Sequence, residues 1–337
     1  MPAEPTPPVA ALPPAVRRGS AFTRLFQGDR GVVLAFLLPS LLLLVAVVLL
    51  PLAYALLLSL EGAQVTVVGG HGSVSGSFVG LANYAALFAN PGFWQALRTT
   101  LYYWLVSILI EVVFGIGAAV LLNRRFRGQT VVRALVFLPW AIPTVVNANL
   151  WSMILDGDPF GGLNALLMQL HLTTAPVVWL NPSPVLAQVA WLSHALTAVG
   201  ASLGMNWIIV GDEWHTLPIV IFLTLAGLQS IPHEYYESAR IDGAGPWATF
   251  RHVTWPLLGP VLAVVLILRT MQLLRAFTLI YTLESTGLPV LSITAYQYAF
   301  TFGAFGQGSA VAFLIGVLAL LIAFFYIRVL FRTEFVA

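Results

Sequence analysis

The 337-residue chain has no cysteine and no lysine, and only 8% of its residues are charged. Without cysteine there is no disulfide, thiolate nucleophile or iron–sulfur ligation. Without lysine there is no phosphate-binding P-loop, because that loop needs a lysine on the nucleotide phosphates, and Schiff-base chemistry is excluded too. His-Glu-x-x-His, Gly-x-Ser-x-Gly and glycine-rich nucleotide fingerprints are missing, so nothing points to an enzyme. No convincing internal repeat suggests a stand-alone secondary transporter. The net charge of +2 is too small to suggest nucleic acid. Asp156 and Asp158 lack the oxygen-ligand spacing of a calcium loop, so no metal is expected.

What is present is apolar: 59% of residues are hydrophobic and the mean hydropathy is +0.90, against a soluble norm of about 25% charged residues. Runs long enough for the ~20 residues of a bilayer crossing occur at residues 32–60, 99–122, 134–155, 205–228, 257–281 and 309–329. Every basic residue is arginine, and Arg17, Arg18, Arg24, Arg30, Arg124, Arg125, Arg127, Arg133, Arg240, Arg251, Arg328 and Arg332 fall on one side of such an arrangement. The positive-inside rule makes that side cytoplasmic. An all-α, polytopic membrane helix bundle of six transmembrane helices follows, with both termini inside and Arg98, Arg269 and Arg275 as exceptions. Residues 1–30 are expected to be a disordered cytoplasmic tail without a signal peptide. Residues 61–97 are expected to be an external loop with little structure. The apolar stretch 182–203 reads as a re-entrant or surface-lying helix or an outward extension of the fourth span. Counting it as a crossing would strand Arg240 and Arg251 outside.

Ionisable groups inside the spans are expensive and mark cavities or pairs. Glu111 lies in the second span; Asp212, Glu213 and His215 lie in the fourth; Arg269, Gln272 and Arg275 lie in the fifth. Glu111 is a partner for an arginine or a ligand for a solute. Arg275 can pair with Glu111, Asp212 or Glu213, and Asp212 can pair with Arg269. Gly115 and Gly117 suit close helix approach, and Asn147, Asn149 and Trp151 suit interhelical contacts.

Residues 229–256 form a polar island between two apolar spans. Ser230 is placed to cap a helix carrying Glu237, Pro232 falls in its first turn, and Gly243 is placed to end it. Pro246 restarts a short helix, and Pro256 marks the beginning of the next span. Two short helices meeting at a glycine corner are expected.

The spacing Glu237-Ser238-Ala239, Gly243, Val253, Trp255-Pro256, within the extended run from Ile231 to Ala244, resembles the EAA loop of ABC-importer permeases of the maltose-type carbohydrate branch. Ser238 and Trp255 depart from that pattern, which has alanine and leucine there. The resemblance implies a type I ABC importer permease in a bacterial inner membrane. Its core would be residues 98–332, with a first helix and external loop at 31–97 and a tail at 333–337. The coupling loop, residues 230–256, would dock on a cytoplasmic dimer of ABC ATPases through Glu237, Ser238, Ala239, Asp242, Gly243, Ala244 and Pro256. Ala239 and Gly243 would allow close approach. Other implied partners are a second permease subunit, an extracytoplasmic solute-binding protein and membrane lipid. No cofactor would be bound by this chain, ATP and Mg being used by the ATPase. Solute-facing positions would be Asp212, Trp214, His215, Thr216, Ile219, Arg269, Gln272 and Leu273, with Trp214 or Trp151 stacking on a sugar face. The expected solute is a disaccharide such as maltose or trehalose; a polyol or glycerol-phosphate-like anion is the alternative. The long amino-terminal stretch and the short carboxyl end favour the first permease subunit of a pair. Glu284 to Pro289 departs from the Gly-rich turn of relatives.

Overall fold

The computed structural model describes residues 29–68, 71–180, 190–283 and 289–330. Residues 1–28, most of the turn at 284–289, the first part of the 182–203 stretch and the carboxyl tail, with Arg332, therefore lie outside the described residues. The chain falls into two compact units, Met1–Ala55 and Leu56–Ala337.

The first unit holds α1 (Asp29–Leu43), a π turn at Leu44–Leu49 and the start of α2 (Leu50–Ser59). Pro39 sits inside α1 without ending it, and Phe36–Ser59 is long and apolar enough to cross a membrane.

The second unit begins with a hairpin, β1 (Gln64–Val68) against β2 (His71–Ser75), antiparallel with Val65 opposite Val74. Helix α3 (Ala82–Ala89) follows. The expectation of an external loop with little structure is thus corrected. The residues alternate Val65, Val67 up to a Gly-Gly pair, which is a hairpin pattern hidden by a glycine- and serine-rich composition. Asn83 ties the segment down, donating through Nδ2 to the Ser59 carbonyl at 2.9 Å and the Glu61 carbonyl at 2.8 Å.

The second span runs from Pro91 to Asn123. It consists of α4 (Pro91–Ile110), a π turn at Glu111–Gly115 and α5 (Ile116–Asn123). Gln129 and Arg133 both donate to the Leu122 carbonyl, at 2.7 and 2.8 Å, stapling the arginine-rich turn that follows. The expected third span is not straight: α6 (Gln129–Phe137) and a 3-10 turn (Leu138–Ala141) meet α7 (Thr144–Ile154) at 91°. Pro143 is the cause, since a residue before proline is pushed out of the helical region, and Ile142 sits at φ −76°, ψ 133°.

Beyond α8 (Gly162–Gln169), α9 (Ala190–Ala198) has nine described residues. It is a separate helix rather than an extension of the fourth span, because Ser202 caps α10 (Leu203–Ser230) afresh by accepting from the Met205 N–H at 3.1 Å. His194 is exposed. Then come α11 (His233–Ile241) and α12 (Pro246–Thr249). A π turn at Phe250–Thr254 leads into α13 (Trp255–Leu274). The fifth span therefore begins at Pro246, not Pro256. Pro256 has no N–H to give, and the helix passes it through the π turn instead of breaking. After α14 (Thr278–Leu283), α15 (Leu291–Tyr296) and a π turn (Gln297–Thr301), α16 (Phe305–Leu330) is the last span. Among the described residues there are five helical spans of membrane length, or six with the bent pair.

The second unit's core lies where α4, α5, α10 and α13 pack. Ile208, Leu266 and Tyr103 fill one cluster; Leu122, Leu225 and Leu258 fill another. Gly115 permits the close approach expected of it, since a Cβ there would meet Val220 Cγ1 at 3.0 Å; at Gly117 nothing lies within 4 Å, so it mediates no packing.

Candidate functional site

The predicted residues separate into two places. The first is a buried ionic network at the centre of the second unit. Arg269, on α13, is 4% exposed and reaches the second and fourth spans as well as a neighbour on its own helix. Its Nε donates to Glu111, which is fully buried at the start of the π turn. Nη2 donates to Asp212 Oδ2 at 3.1 Å and Thr216 Oγ1 at 2.9 Å, and Nη1 donates to Gln272 Oε1 at 2.7 Å. The Thr216 hydroxyl in turn donates to the Asp212 carbonyl at 2.8 Å, the back-bond of a helical threonine. The partner of Glu111 is thus Arg269 and not Arg275, which is exposed at the carboxyl end of α13 and makes no ion pair among the described residues.

A column of buried polar groups continues from Glu111 along α4. Tyr103, Ser107 and Glu111 are spaced four apart, so they share one helix face. The Tyr103 hydroxyl, the Ser107 hydroxyl, Glu111 Oε2 and both oxygens of Glu213 are buried without a hydrogen bond. Ser107 lies close to the Glu213 carboxylate, short of hydrogen-bond geometry. Reading the spans one residue at a time missed Tyr103 and Ser107; their spacing of eight and four residues from Glu111 was the available signal.

The other predicted wall residues divide between lining and packing. Trp214 is 41% exposed and meets Trp151 edge to face at 6.3 Å. His215 is buried and its Nε2 lies 2.9 Å from the Ile142 carbonyl. That carbonyl is freed by the Pro143 break, so His215 satisfies a backbone group that the bend leaves without a helical partner. Ile219 is half-buried, Gln272 is exposed, and Leu273 is buried in the hydrophobic core. Leu273 therefore presents no free surface to a solute.

The second place is the elbow between α10 and α13. Ser230 does not cap α11: it is the last residue of α10, its hydroxyl donating to the Gly227 carbonyl at 2.8 Å, and Pro232 holds the cap position. The glycine corner forms as expected. Gly243 stands at φ +74°, a left-handed conformation that costs other residues a Cβ clash. Its N–H donates to the Arg240 carbonyl at 3.1 Å, and the Ala244 N–H to the Ala239 carbonyl at 2.9 Å. Together these close the helix in a Schellman turn. Glu237, Ser238 and Asp242 are exposed, whereas Ala239 is buried against the chain itself and Ala244 and Pro256 are half-buried. Tyr235, Ile241 and Trp247 project from the elbow at 51%, 86% and 72% exposure. An open apolar groove of about 640 Å³ runs beside it, between Val112–Leu121 on the second span and Trp247, Phe250 and Trp255.

Comparison with known proteins agrees with this architecture. Residues 111–333 match the family described as binding-protein-dependent transport system inner membrane component. The trehalose/maltose transport system permease protein MalF of Thermococcus litoralis is 37% identical over 256 residues, covering 75% of this chain and 79% of that protein. The trehalose transport system permease protein SugA of Mycobacterium tuberculosis is 31% identical over 300 residues, 88% of each chain. A chain from the crystal structure of a bacterial ABC transporter involved in the import of the acidic polysaccharide alginate superposes with a TM-score of 0.70 at 21% identity. That match covers 93% of this chain and 99% of the other and speaks for the fold.

Proposed function

This chain belongs to the family of binding-protein-dependent transport system inner membrane components, and from that premise we propose that it is the first permease subunit of an ATP-driven importer of a disaccharide such as trehalose or maltose. Its elbow, residues 230–256, is the face that receives force from a separate cytoplasmic ATPase dimer. Gly243 carries the reading: a left-handed corner closes α11 and holds exposed acids and large apolar side chains outward without burying them in this chain. Exposed aromatic and aliphatic anchors ringed by polar groups suit a protein partner. Glu237, Ser238 and Asp242 supply the polar contacts. Ala239 seats α11 on its own bundle, and Gly243 shapes the corner.

Asp212, Thr216, Arg269 and Gln272 form the polar side of the solute path, with Trp214 beside Trp151 offering aromatic faces. A second permease subunit completes that path, and an external binding protein delivers the solute. The arginine-rich turn after α5 and Arg240 and Arg251 on the elbow support a cytoplasmic placement of the elbow and of both termini. The names of the trehalose and maltose relatives support the sugar class.

The test is reconstitution of the chain with its partner permease, ATPase and binding protein in proteoliposomes, following radiolabelled trehalose and maltose. ATP-dependent uptake that disappears with a hydrolysis-dead ATPase is expected. Uptake by the single chain without the ATPase would overturn the reading.

A further inference from the structure

Arginine has five N–H donors in a planar fork, and it grips phosphates and carboxylates by offering two of them in parallel. In Arg269 each guanidinium nitrogen is already engaged within the chain: Nε with Glu111, Nη1 with Gln272, Nη2 with Asp212 and Thr216. An anionic solute could grip two of these nitrogens in parallel only by displacing partners that the chain already supplies. Donors are scarce around it as well: Glu213 is 5% exposed with both oxygens unpartnered, and Glu111 Oε2 is unpartnered too, so a further anion would compete with carboxyl oxygens that already lack a donor. Sugar hydroxyls meet the opposite situation. They can donate to Asp212, whose side chain is 17% exposed, and can exchange hydrogen bonds with the exposed amide of Gln272.

We propose that this network makes the permease select uncharged polyhydroxyl solutes and reject phosphorylated or carboxylated ones, with Glu111 setting the selection. Glu111 is fully buried and touches no solute; it is a positioning residue that acts by setting its carboxylate charge against the Nε edge of Arg269, which an amide cannot replace. The π turn that begins at Glu111 is the local irregularity that accompanies its position on the helix. This rests on the sugar-import reading and narrows it by excluding the glycerol-phosphate-like alternative.

The test is equilibrium binding of radiolabelled trehalose and trehalose 6-phosphate to the purified complex of both permease subunits and the ATPase in nanodiscs, without the external binding protein, so that it does not filter the ligands. The wild type should bind trehalose at least about tenfold more tightly than its phosphate, the scale of a charge-assisted hydrogen bond withheld. Glu111→Gln should raise the phosphate-to-trehalose affinity ratio by roughly tenfold, and Glu111→Asp should return it toward the wild-type value. A merely structural role for Glu111 would change both affinities together and leave the ratio alone. An unmoved ratio in a folded Glu111→Gln importer overturns the proposal, as does a wild type that binds both ligands alike. If Glu111→Gln does not assemble, the wild-type comparison decides. A wild type that binds neither ligand fails the sugar-import reading itself, and this inference with it.

Discussion

Arg269 is 4% exposed among partners from three spans, while Ile241, on the elbow, is 86% exposed and projects from a helix held by a single glycine-closed turn. Both regions are polar interruptions in a very apolar chain, yet they are built by opposite rules. The network hides its charges and pairs its arginine with side chains far apart in sequence, Glu111 and Arg269 being 158 residues apart. The elbow shows its charges to the outside, and its corner is closed by residues near in sequence, Gly243 with Arg240 and Ala244 with Ala239. A buried ion pair gains little over apolar packing but is costly to break on one side. An exposed surface costs little to alter locally and matters through what docks on it. The network should therefore report on stability and solute choice, and the elbow on coupling.

Breaking the network on one side should have the largest effect on stability. Arg269→Ala leaves Glu111 and Asp212 without their cation, a loss of about 3–5 kcal/mol. It should appear as a sharp fall in the melting temperature of the detergent-purified protein, and the double change Glu111→Gln with Arg269→Gln should recover part of it. A single variant that melts like the wild type would remove the contrast with the elbow. Asp212→Ala keeps the Glu111–Arg269 pair and should cost about 1–3 kcal/mol. It should weaken trehalose binding to the permease–ATPase complex in the same binding measurement; unchanged affinity would take Asp212 out of the solute path.

Gly243→Trp forces a side chain into the left-handed region at about 1–2 kcal/mol of local strain, with nothing within 4 Å for its Cβ to strike. Insertion and solute binding should persist while ATP-dependent uptake falls to background. Normal uptake would deny the elbow its coupling role. Smallest of all, Glu237→Gln removes only the i, i+4 pair with His233, whose side chains are 62% and 73% exposed. Such pairs contribute no more than ~0.5 kcal/mol, so the melting temperature should hold, and any loss of ATPase stimulation should be read as lost docking.

The same contrast explains what could be read from the chain alone. The elbow was legible because glycine and proline act locally: Gly243 and Pro246 each do what their backbone chemistry dictates, whatever the rest of the protein does. Two placements failed there: Ser230, whose helix-capping preference lost to the carboxyl-terminal turn of α10, and Pro256, which does not begin the fifth span because the helix already runs from Pro246. The members of the network were also visible, since Glu111, Asp212, Glu213 and Arg269 stand out against apolar spans. Their pairing was not, because it depends on how α4, α10 and α13 rotate against one another. Arg275, just past the end of α13, lies six positions from Arg269 within it, and packing decides that the first is exposed and the second buried. The bend at Pro143 and its repair by His215 were hidden for the same reason: the proline was plain, but the ring that takes up the Ile142 carbonyl lies 73 residues away.

Because the chain has no cysteine, Ile241→Cys would carry the single thiol of the subunit at the tip of the elbow, and it gives the most direct test of the account. In membrane vesicles of defined orientation, a membrane-impermeant maleimide should label it in inside-out vesicles and leave right-side-out vesicles unlabelled, and a short bifunctional reagent should join it to the ATPase subunit. Labelling from the external face, with no cross-link to the ATPase, would contradict the account.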